Sequence, residues 1–108
     1  VDVRRDMLWV LQHDSNAGVR LKALDSLKAF SGDPETREVL SKVLLTDKNP
    51  GVRTHAIDLL TQNGLSTRNK GDQMVGLLQE LMRRDDNGYV RYRCERMLHE
   101  LNASEGTF

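Results

Sequence analysis

Apolar residues along this chain recur in the i, i+3, i+4 spacing that places them on one face of an α-helix. The stripe reads Met7, Val10, Leu11, then Leu40, Val43, Leu44, then Leu78, Leu81, Met82. A second pattern follows each stripe. GVRLKALDSL at 18–27 returns as GVRTHAIDLL at 51–60 and as YVRYRCERML at 89–98. Val19, Val52 and Val90 set the register, separated by 33 and 38 residues, the range of helical-hairpin repeats. Asp14, Asp47 and Asp85 stand five residues before the valines, and Asn16, Asn49 and Asn87 three before. Arg20, Arg53 and Arg91 follow at one after, Ala23, Ala56 and Cys94 at four, and Leu27, Leu60 and Leu98 at eight.

These columns describe a helix start. Proline suits the first helical turn and holds the preceding residue extended, so Asn49-Pro50 marks an N-cap. An asparagine there accepts from a free backbone N–H of the first turn, and Asn16 and Asn87 take the same role by register. The second helices are expected to run to Gly32 and Gly64, and the third to fray after Leu101. Asp33-Pro34-Glu35 opens the middle first helix, Asp72 is the expected cap of the last one, and residues 64–71 read as a loop. The expected fold is all-α, six helices in three antiparallel pairs, with repeats at about 2–31, 33–63 and 72–102 of a single 1–108 domain.

The pattern D-x-N-x-x-V-R-x-x-A/C-x-x-x-L, preceded by an amphipathic helix, resembles the HEAT repeat over essentially the whole chain. That resemblance implies an α-α superhelix, a solenoid with first helices on the convex side and second helices lining a concave face. It also implies that Asp14, Asp47 and Asp85 form a structural ladder with Arg20, Arg53 and Arg91. Repetition in register favours bracing over ligand binding, because binding sites are usually unique. The ending NGYVRYRCERMLHELNAS also looks like HEAT segments at the C-terminus of bacterial anti-sigma-factor-like membrane proteins. Some chromophore-lyase families contain similar repeats, so a lyase-like enzyme is a distant reading.

Composition narrows the function. With 108 residues and 38% apolar content the chain supports one core. Its 16 basic and 16 acidic side chains cancel, and each copy is within one charge of neutral. A phosphate-backbone binder shows a basic excess, and Asp85, Asp86 and Glu95 lie among Arg91, Arg93 and Arg96, so nucleic acid is not the expected partner. No run reaches the roughly 20 apolar residues of a membrane span. The compartment stays open, cytoplasmic by default and extracytoplasmic if an upstream region carries a span. Valine at position 1 reads as an excised piece, the last module of a longer protein.

Catalytic, cofactor and metal sites are not expected. His13, His55 and His99 occupy different columns, and no two stand at i, i+4. Cys94 takes a core alanine column and reads as a small buried thiol rather than a nucleophile. Partner binding is the expected role, either to another protein or to an upstream domain. The positions two, six and nine after each valine face the concave side and differ between copies: Leu21, Asp25, Lys28; Thr54, Asp58, Thr61; Tyr92, Arg96, His99. Candidate contacts are Leu21, Asp25 and Asp58, with an aromatic and basic corner at Tyr92, Arg93 and Arg96. The runner-up is a purely structural segment capping a longer repeat protein. Five after the valine, Leu24 and Ile57 give way to Glu95, which reads as the end of the stack. Leu8 and Trp9 occupy columns read as solvent-facing and expect cover, from upstream chain or by weak self-association; otherwise Trp9 caps its own helix.

Overall fold

The computed structural model describes residues 2–62 and 68–104, with side chains for 2–62 and 74–100. Every regular element among them is helical: α1 Val3–His13, α2 Ala17–Ser26, a short 3-10 turn Lys28–Phe30, α3 Pro34–Thr46, α4 Pro50–Thr61, α5 Arg68–Arg84 and α6 Gly88–Ser104. They form two compact units, Val1–Asn63 and Gly64–Phe108. The first holds the pairs α1–α2 and α3–α4, packed further through α1 on α3 and α2 on α4; the second holds α5–α6.

Caps start α2, α3, α4 and α6 where the sequence places them. Asn16 Oδ1 accepts from Val19 N–H at 3.1 Å, Asn49 from Gly51 and Val52 at 2.8 and 3.2 Å, and Asn87 from Tyr89 and Val90 at 2.9 and 3.1 Å. Asp33 accepts from the N–H and hydroxyl of Thr36, both at 3.0 Å. Each backbone N–H so bonded is one that the first turn leaves without a helical partner.

Leu11, Leu24, Leu27, Leu40, Leu44, Val52, Ile57, Leu59 and Leu60 fill the first unit, and Leu78, Leu81, Val90 and Cys94 the second. Burial of each large aliphatic side chain contributes about 1.5–3 kcal/mol.

Four expectations shift. Leu8 is not a solvent-facing residue: it is buried at 5% exposure. It lies one turn from Arg4, whose guanidinium reaches Asp33 and Glu35 at the start of α3. Arg4, Leu8 and Leu11 therefore share the face of α1 that meets α3. The second helix of copy one stops at Ser26 and tightens into the 3-10 turn, well before Gly32. α5 begins at Arg68, so Asp72 is inside the helix and residues 68–71 of the expected loop are helical. α6 continues to Ser104, three residues past Leu101. The expected stop at Gly64 lies outside the described residues.

Candidate functional site

The three Asp-x-Asn-x-x-x-Arg segments build the same small device. Oδ1 of Asp14, Asp47 and Asp85 accepts from the N–H of Asn16, Asn49 and Asn87, at 2.9 Å each time. One turn into the helix the arginine reaches back. Nη1 of Arg20, Arg53 and Arg91 donates to the carbonyls of Asp14, Asp47 and Asp85 at 2.9, 2.6 and 2.7 Å. The interhelical turn is thus tied at both ends.

Arg20 does more. Its Nε and Nη2 donate to Oδ2 and Oδ1 of Asp47, both at 2.9 Å, and the two side chains are 13% and 7% exposed. This two-pronged pair couples copy one to copy two, and a planar guanidinium suits it where lysine would not. Arg53 is itself buried.

On the varying columns of the first unit, Leu21 and Asp58 are half-buried. Asp25 is exposed, yet it holds His55 Nε2 at 2.9 Å and so links α2 to α4. Thr54 and Thr61 turn their hydroxyls back onto Pro50 and Ile57 carbonyls of their own helix. These positions are largely occupied by bonds within the fold.

The second unit is different. α6 and the end of α5 flank a shallow groove of about 260 Å³ lined by Met82, Tyr92, Glu95, Arg96, Leu98 and His99. Tyr92 is 50% exposed, Tyr89 57% and Met82 39%. Tyr89 and Tyr92 lie with ring centroids 6.3 Å apart at 31°, within the range of favourable aromatic pairs. Arg96 Nη1 lies 3.4 Å from Tyr92 Oη and its Nη2 3.8 Å from Glu100, so the exposed guanidinium stands beside the phenol. Arg93, on the same helix, is half-buried. Tyr92 and Arg96 therefore meet, while Asp25, Asp58 and Leu21 belong to the other unit.

Two contributors escaped the sequence reading. Met82 sits in the column of Leu11 and Leu44, both fully covered, so periodicity assigned it to the core. Tyr89 occupies a column that is Gly18 and Gly51 in the other copies. That glycine-to-tyrosine change was the available signal.

The family model described as HEAT repeats matches residues 5–99. The chain belongs to the HEAT-repeat family. Its fold is accordingly an all-α one of the α-α superhelix class, built of antiparallel helix pairs. Comparison with curated proteins and with solved structures returned no match. The family match carries the repeats and does not extend to the anti-sigma-factor likeness. HEAT repeats generally serve as protein-interaction scaffolds and are typically not enzymes.

In this HEAT protein Cys94 is fully buried in the Ala23 and Ala56 column. Burial, with Asp85 nearby and Arg93 opposing, raises its pKa from 9.0 to about 11. The nucleophilic thiolate is disfavoured there. Because the folded state holds the proton more tightly, its stability contribution is intact below pH 9 and falls as pH rises from 9 to 11. Urea melts at pH 8 and pH 10.5 should show native protein losing on the order of 2 kcal/mol more than Cys94→Ala. Parallel losses in the two proteins would contradict this placement of the thiol.

Trp9 is 61% exposed and stacks on His13, one turn along, with centroids 4.6 Å apart. No helix among the described residues is long and apolar enough to cross a membrane.

Proposed function

We propose that this HEAT protein is an interaction scaffold whose protein partner docks on the α5–α6 groove around Tyr92 and Arg96. The observation that carries the reading is the company those residues keep. Met82, Tyr92 and Arg96 line one groove, and Tyr89, Tyr92 and Met82 are all exposed, with Tyr89 paired to Tyr92 and the Arg96 guanidinium beside the Tyr92 phenol. Tyr, Met and Arg are enriched at interfaces, and Tyr and Arg among the residues that dominate their energetics. Glu95 and Glu100 temper the basic charge, which suits a mixed protein surface better than a phosphate backbone.

The test compares native protein with Tyr92→Ala/Arg96→Ala in affinity capture from cells that express it. Loss of two hot-spot side chains should weaken the specific partner by roughly 100-fold or more. Equal recovery of every partner would remove this groove from consideration.

A further inference from the structure

We infer that the side of the first helix pair facing away from α3 and α4 is a docking face for a further helix pair of the same repeat type, one that presents an arginine to Asp14 and a carboxylate to Lys22. Copy one and copy two differ in cover, column by column. Leu40, Val43 and Val52 are 0%, 4% and 0% exposed, whereas Met7 and Val10 are half-open and Val19 is 40% exposed. Val3, one turn before Met7 on the same face of α1, is 55% exposed.

Charges follow the same rule. Asp47 receives the two-pronged grip of Arg20 from the neighbouring pair; the carboxylate of its counterpart Asp14 accepts, among the described residues, only from Asn16 N–H on Oδ1, leaving Oδ2 for an incoming guanidinium. His55 takes Asp25 from the neighbouring pair, and its counterpart Lys22 is exposed. The uncovered face thus repeats, side chain for side chain, most of an interface that copy two already makes with copy one. Ser26 in the Leu59 column makes α2's share of it smaller.

Trp9 is not part of this face. At about 100° per residue it points about 100° from Val10 and about 160° from Met7 around α1. A second copy of this chain is a poorer occupant than a fresh pair, because exposed Glu95 stands in the column where copy one has buried Leu24 on α2, the helix that packs against α4.

The probe is a tandem chain with a duplicate of residues 2–32 joined ahead of Asp2 by a two-residue Gly-Ser spacer. That spacing restores the 27-residue separation of Arg20 and Asp47 between the duplicate's arginine and Asp14. Asp14→Ala should then raise the unfolding equilibrium constant at least tenfold more in the tandem than in the three-copy chain. The excess should vanish when the duplicate's own arginine is alanine. Equal effects of Asp14→Ala in both chains, or a duplicate whose amides exchange like unfolded chain, would overturn the inference. So would concentration-dependent dimers of the unmodified chain that Asp14→Ala abolishes, since these would make the occupant a second copy.

Discussion

Asp47→Ala should cost this protein about 3–4 kcal/mol, the cost of breaking a buried ion pair on one side. Asp47 answers three donors at once: both prongs of Arg20 and the N–H of Asn49. Removing the carboxylate leaves a guanidinium that is 13% exposed without its counterion and loosens the turn that starts α4. At about 4–8 °C per kcal/mol for a domain of this size, the melting temperature should fall by more than about 12 °C. Asp14→Ala in the same chain touches one backbone donor and should cost about 1 kcal/mol or less. Calorimetry of the two variants separates an inter-repeat brace from a row of surface charges. Equal, small shifts would remove the brace.

A second large effect is expected where the columns of the three copies disagree. Leu24 is fully buried on α2, which packs against α4, while Glu95 in the same column of α6 is exposed. Leu24→Glu forces a carboxylate into an apolar contact with no cation provided for it, and should cost more than about 4 kcal/mol, enough to unfold the first unit. Glu95→Leu, made at an open position, should change stability by no more than about 0.5 kcal/mol. Denaturant melts followed by circular dichroism read both. A tolerated Leu24→Glu would mean that this column is not an interface between pairs.

Much of this architecture is legible in the sequence because its devices are local. The Asp-x-Asn-x-x-x-Arg segment closes its bonds within six residues, so spacing alone defines it, and three copies in register show what is scaffold. What spacing does not encode is which side of a helix meets a neighbour. Leu8 shows this: its column mates are Ser41 and Gln79, yet it is buried, one turn along α1 from the Arg4 that reaches the start of α3. Val19 and Met82 are the converse, apolar members of covered columns that stand open because covering depends on what packs next to a pair. The candidate groove was half legible. Tyr92 and Arg96 emerge from the varying columns and Tyr89 meets Tyr92 one turn along the same helix, whereas Met82 joins them only through the packing of α6 against α5.

The central claim, a braced repeat scaffold that holds a protein partner on its α5–α6 groove, is tested most directly by site-specific photo-cross-linking in cells. A photoreactive phenylalanine analogue replaces Tyr92 in one version of the protein and the exposed Lys42 of α3 in another. The account predicts one discrete protein adduct from position 92, lost when Arg96→Ala is added, and none of that mass from position 42. The same adducts from both positions, or none from position 92, would contradict it.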